Sequence, residues 1–158
     1  MSSTAEIIPA SLSRTARLIG PDATARLSQV HVILFGLGGV GSWAAEALVR
    51  SGVCHITIVD ADTVAESNIN RQLPALPSTV GIAKTQVMAE RLRAINPGID
   101  LTQIHGLYTA DTADSYDLTA YDYIIDAIDS LSDKALLILR ATEAMRQTAS
   151  SERPVKFY

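Results

Sequence analysis

The stretch HVILFGLGGVGSWAAEALVRSGVCHITIVDAD, residues 31–62, leaves few folds open to the chain. An apolar run (30–35) gives way to a glycine cluster (36–41), a helix-like segment (42–51) and a second apolar run (56–60) that closes on two acids. That succession is a βαβ unit. Continuous rather than alternating hydrophobicity is what a parallel strand buried on both faces requires. Gly52 stands where a helix ends by turning left-handed, a conformation that costs glycine little.

The rest of the chain repeats the alternation. A polar stretch, residues 61–81, is rich in Asn, Ser and Pro and reads as a loop; at 21 residues it is longer than a mere connection, and long ordered loops are usually functional. A helix is expected over 82–95, with Met88, Leu92 and Ile95 on one apolar stripe and Asn96-Pro97 as its stop. Strands are expected over 101–105 and 121–128, and a long helix over 132–148. The fold class that follows is α/β: a Rossmann-like, doubly wound, mostly parallel sheet with helices on both faces. Residues 1–29 read as a polar arm with one short helix (22–27) after Gly20-Pro21, residues 30–149 as the Rossmann-like domain and 150–158 as a tail with neither strand nor cap. Because a larger α/β domain would add strands after that helix, a C-terminally truncated chain is expected.

Composition narrows the class of partner. A formal charge of -4 gives no overall basic field for nucleic acid. Cys54 is the single cysteine, which excludes an internal disulfide and suits the reducing cytoplasm. No apolar run approaches the roughly 18 residues that cross a bilayer, and the N-terminus lacks the apolar core of a signal peptide. No membrane partner is expected.

Gly36, Gly38 and Gly41 satisfy G-x-G-x-x-G between a strand and a helix, the setting in which backbone N–H groups and the helix dipole face a phosphate. Asp60, at the end of the next strand, is placed to accept hydrogen bonds from a ribose. NAD and ATP both carry one, so these residues call for a nucleotide without choosing it. The choice comes from Asp62, Asn68, Asn70, Arg71, Gln72 and Lys84, in which Arg71 and Lys84 are two cations able to converge over the glycine turn and offset charge on a leaving pyrophosphate. Asp126 and Asp129 flank the end of the fourth strand. Asp129 is the better magnesium ligand, held together with substrate phosphates, since Asp126 falls within the strand and is free to brace the loop; Asp129, Ser130 and Ser132 are also candidate N-caps for the last helix. His31, His55, His105, Trp43 and Cys54 are expected in core or boundary packing, with Trp43 on the helix face that meets the sheet.

Taken together, GLGGVGSWAAEALVRSGV, DADTVAESNINRQ, GIAKTQVMAERLRAINP and YDYIIDAIDS resemble the adenylating enzymes of the ubiquitin-activating superfamily, and most closely the tRNA threonylcarbamoyladenosine dehydratases, from about Arg14 to Arg140. The added Gly39, the S-N-x-N-R-Q string and the downstream G-x-x-K separate this family from nicotinamide enzymes. The resemblance implies ATP and Mg2+ as cofactors and adenylation of a carboxylate or carbonyl oxygen, here adenylating and cyclising the threonylcarbamoyl group of a modified adenosine in tRNA. By position it puts Gly41 and its neighbours at the phosphates, Asp60 at the ribose, Asn68, Arg71 and Lys84 at the triphosphate and Asp129 at the magnesium. It also implies a homodimer, Arg14 reaching into the partner's site, and a sulfur-transfer partner of the cysteine desulfurase type. Three other readings compete: activation of the C-terminal glycine of a ubiquitin-like sulfur carrier, an NAD-dependent oxidoreductase that leaves Arg71 and Lys84 idle, and a nucleotide-binding or dimerisation module without catalysis.

Overall fold

Five short apolar runs hydrogen-bond side by side in the computed structural model, which describes residues 8–158. They are β1 (His31–Phe35), β2 (His55–Val59), β3 (Asp100–Ile104), β4 (Tyr123–Asp126) and β5 (Lys156–Phe157). The sheet is parallel throughout, in the order β3-β2-β1-β4-β5. Strand β1 is central and fully buried from Val32 to Phe35, as its unbroken hydrophobicity demands.

The helices are α1 (Ser13–Ile19), α2 (Pro21–Gln29), α3 (Gly41–Ser51), α4 (Lys84–Ile95) and α5 (Leu131–Thr148). Alternate side chains of β1 point to opposite faces. Val32 and Leu34 pack with Ala45 and Val49 of α3 and Met88 and Leu92 of α4, whereas Ile33 and Phe35 pack with Leu137 and Ala141 of α5. The sheet is therefore doubly wound. Gly52 ends α3 at φ 116°, its N–H donating to the Leu48 and Val49 carbonyls. A salt-bridged cluster ties α3 to α4: buried Glu46 accepts from Arg50 and from Arg91. The Arg91 hydrogen bond is the largest influence holding the Glu46 carboxyl below the ordinary glutamate range, against the opposing effect of burial.

Three expectations change. Residues 13–19, read as part of a polar arm, form α1, which packs on α2 across the Gly20-Pro21 break at φ 87°; Leu12 just before it lies against the Gly52 position. The arm's first seven residues lie outside the described ones. The tail also contains a strand: Lys156 N–H donates to the Asp122 carbonyl (2.8 Å), Tyr158 N–H to Ile124 (3.0 Å) and Asp126 N–H to Tyr158 (2.8 Å). A two-residue strand has too short a pattern to read alone and borrows its geometry from β4. Arg153 fastens the same tail to buried Asp122, whose carboxylate also accepts the His31 N–H. Finally, His105 is exposed beyond the end of β3, while His31 and His55 stack at 4.4 Å on the amino edge of the sheet and half-buried Cys54 sits just before β2.

Candidate functional site

The chain leaves β1 at Phe35 and turns within six residues into α3. Two of those positions tolerate nothing but glycine. Gly36 has φ 93°, and a Cβ there would stand 2.5 Å from the Ala127 carbonyl oxygen; a Cβ on Gly41 would stand 1.8 Å from the Gly36 carbonyl oxygen. Asp60, at the end of β2, secures the turn: Leu37 N–H donates to its Oδ2 at 2.6 Å, and Asp62 N–H to its Oδ1 at 2.8 Å. Ser42 adds a second tie, its hydroxyl donating to the Gly38 carbonyl at 2.6 Å and accepting from Leu73 N–H at 3.2 Å.

The turn opens into a cavity of about 940 Å³ at the carboxyl edge of the sheet. Because the chain winds outward from β1 in one direction and later returns to β4 on the other side, the cavity lies at the topological switch point where ligands of open α/β sheets bind. Residues 61–81 form one wall. Their ends are drawn together by the Thr63–Ala83 bridge and by Gly81 N–H donating to the Val64 carbonyl at 2.8 Å. Within the loop, Asn68 folds the backbone by accepting from Ala65 N–H at 3.1 Å. The Arg71 stem lies about 3.5 Å from where a Gly39 Cβ would be, and its guanidinium donates to the Ser67 carbonyl (3.1 Å) and Asn70 Oδ1 (2.9 Å), both neutral oxygens. Gln72 is buried with Oε1 unpartnered among the described residues.

Lys84 begins α4, only 4% exposed, with Nζ 2.7 Å from Asp62 Oδ2. Its charge is thus already matched by a carboxylate, so of the two converging cations it is Arg71 that carries the unmatched charge. On the opposite wall, Asp126 braces the turn after β4 by accepting from Ile128 N–H (2.9 Å) and binds Lys134 Nζ at 2.7 Å. Asp129 is exposed and lines the cavity; Ser130 is the residue before the first turn of α5 and makes no side-chain cap. Tyr108 backs this wall against Phe35, edge to face at 4.9 Å, and burial raises its phenol above the ordinary tyrosine range.

The lining holds five carboxylates, Asp60, Asp62, Asp126, Asp129 and Asp133, against three cations, Arg71, Lys84 and Lys134. A polyphosphate would be repelled by that balance unless a divalent cation entered with it, and one exposed carboxylate plus phosphate oxygens and water is a normal coordination set for Mg2+. The donor set therefore fits magnesium at Asp129, although the described residues contain no cluster of three metal-ligating side chains.

Of the residues singled out in the sequence, Gly36, Gly38, Gly39, Asp60 and Asp62 meet Asn68, Arg71, Gln72, Lys84 and Asp129 around this one cavity. Gly41 lies just behind it as the contact that lets α3 start. Arg14 is exposed on α1 and outside the lining of its own chain. Trp43 is a correction: 57% exposed, it turns away from the sheet, and its Nε1–H donates to the Arg71 carbonyl at 3.2 Å. The buried stripe of α3 runs through Ser42, Ala45, Glu46 and Val49, about 100° around the helix from Trp43. Lys134 and Ser42 were missed; a lysine in the first turn after an Asp-rich strand end was the available signal for the first, and nothing distinguished the second.

Residues 12–152 match the ThiF family. The tRNA threonylcarbamoyladenosine dehydratase of Haemophilus influenzae is 48% identical over 122 residues, which is 77% of this chain and 47% of that protein. The Escherichia coli protein of the same name is 49% identical over 124 residues, 78% and 46% of the two chains. A crystal structure of the E. coli tRNA N6-threonylcarbamoyladenosine dehydratase in complex with ATP superposes with a TM-score of 0.81 at 40% identity, covering 96% of this chain and 61% of that one. The chain thus spans about half the length of the curated relatives it matches.

Proposed function

Since this chain belongs to the ThiF family, we propose that it carries the ATP-binding and adenylation site of a tRNA threonylcarbamoyladenosine dehydratase. The observation that carries the reading is the meeting of a phosphate-binding glycine turn with Arg71 and Lys84 across one cavity. A nicotinamide site positions a ring and has no use for those cations, whereas a triphosphate that is cut must have its charge offset. The backbone N–H groups at the start of α3 take the phosphates, and Asp60, already oriented by Leu37 and Asp62, takes the ribose hydroxyls. Arg71 stabilises the charge that builds on departing pyrophosphate, and Lys84, held by Asp62 at 2.7 Å in the free chain, adds its ammonium to the same task. Magnesium, held at Asp129, would neutralise the triphosphate. An oxygen of the threonylcarbamoyl group bonds to the α-phosphorus as the bond to pyrophosphate breaks, and ring closure then expels AMP. In a homodimer, Arg14 of each copy would serve the other's site.

The test is ligand-dependent melting. ATP with Mg2+ at a hundred times its Kd stabilises the fold by about 2.7 kcal/mol, so a clear rise in Tm is expected with ATP and none with NAD. Stabilisation by NAD and not by ATP overturns the reading.

A further inference from the structure

Trp43 is the chain's single tryptophan, and its placement is unusual for one. It stands in the first turn of α3 at the lip of the nucleotide cavity, more than half exposed, beside Val40, which is 75% exposed. It is nonetheless held in place: its indole N–H is bonded to the backbone carbonyl of Arg71. An aromatic ring tethered by its edge keeps its faces available, and a tethered ring loses less conformational freedom on binding than a loose one. The tether also fixes the ring beside the cavity, because Arg71 lines it. A flat aromatic face held beside a nucleotide cavity is what single-stranded nucleic acid uses, stacking a base on the ring.

We infer that Trp43 is a stacking platform for an unpaired RNA base flanking the nucleotide that enters the cavity. This rests on the tRNA reading above and adds to it the surface that receives the RNA. The ring supplies what the chain's overall charge does not. A net charge of -4 leaves phosphate attraction weak, so recognition at this lip depends on stacking.

The lone tryptophan makes the test direct, because all indole emission comes from the proposed contact. The chain is titrated at low salt with an anticodon stem-loop RNA and, in parallel, with a fully paired duplex of the same composition; affinity is read by anisotropy of labelled RNA and contact by Trp43 emission. The stem-loop is expected to bind with a Kd on the order of 10⁻⁴ to 10⁻⁶ M and to quench Trp43 saturably, the duplex to leave the emission unchanged. Trp43→Ala should weaken stem-loop binding by about 5- to 100-fold, the effect of losing one stacked base, and Trp43→Phe, which keeps a ring, should recover most of it. Both variants should melt within about 2 °C of the parent, since the side chain is exposed. Stem-loop binding without a change in emission, or Trp43→Ala binding as well as the parent, overturns the inference and leaves the tRNA reading standing. Emission that changes with protein concentration alone also overturns it, by placing a second copy over the ring. A parent chain that binds no RNA overturns the tRNA reading itself and this inference with it.

Discussion

The Asp62–Lys84 pair is asymmetric, and that asymmetry makes a sharp prediction. The lysine side chain is 5% exposed and the aspartate 67%, with Nζ and Oδ2 2.7 Å apart. Removing the aspartate strands an ammonium in the protein, whereas removing the lysine leaves a carboxylate that water can reach. Breaking a fully buried pair costs about 3–5 kcal/mol; with one partner open to solvent the cost of Asp62→Asn is set lower, at about 1–3 kcal/mol, which lowers Tm by about 2–12 °C in a chain of this size. Lys84→Met keeps the volume and removes the buried charge, a change that is neutral or stabilising in comparable sites. The two substitutions should therefore move stability in different directions while both damage ATP use. Thermal and urea unfolding of the two variants, with ATP affinity measured alongside, checks this. If Lys84→Met proves less stable than Asp62→Asn, the burial argument is wrong; if it binds and turns over ATP normally, the lysine does not face the phosphates.

In an enzyme that carries this site and turns over, Arg71→Ala should slow adenylation by about ten- to a thousandfold with an unchanged circular dichroism spectrum; normal AMP release would refute its role. Gly41→Ala places a methyl 1.8 Å from the Gly36 carbonyl oxygen, so it should cost about 1–3 kcal/mol or more and abolish the ATP-induced rise in Tm, both read in one melting experiment. Glu46 titrates below its unfolded value because of Arg91 and Arg50; its contribution is present above the ordinary glutamate range and is lost as pH falls through the depressed folded value. Glu46→Gln should therefore flatten the acid side of the stability profile and lower stability near neutral pH, and an unchanged acid limb would exclude the cluster.

The glycine turn, Gly52 and the stripe of Met88 and Leu92 were legible because each is a local requirement: a backbone angle, a helix stop, a buried face. The strand read as 121–128 shrank to Tyr123–Asp126, since its register with β1 runs only from Tyr123 to Asp126 and Ala127 and Ile128 already belong to the cavity wall. Trp43 was misplaced because its hydrophobicity suggested the core, while the outward angle comes from a stripe defined by small residues and a buried glutamate. The pairing of Lys84 with Asp62 and of Lys134 with Asp126 joins residues 22 and 8 positions apart, and neither pair falls on one helix face where spacing would announce it. The residues of the site were recognisable by type; which of its charges cancel depended on how the loop closes.

The ladder of β5 joins the tail to the cavity wall through a single residue. Asp126 donates its N–H to the Tyr158 carbonyl and lends its carboxylate to Lys134 in that wall. A dye or surface linker attached to residues 156–158 therefore tugs on the backbone of Asp126, and probes meant to leave nucleotide binding undisturbed belong on another part of the molecule.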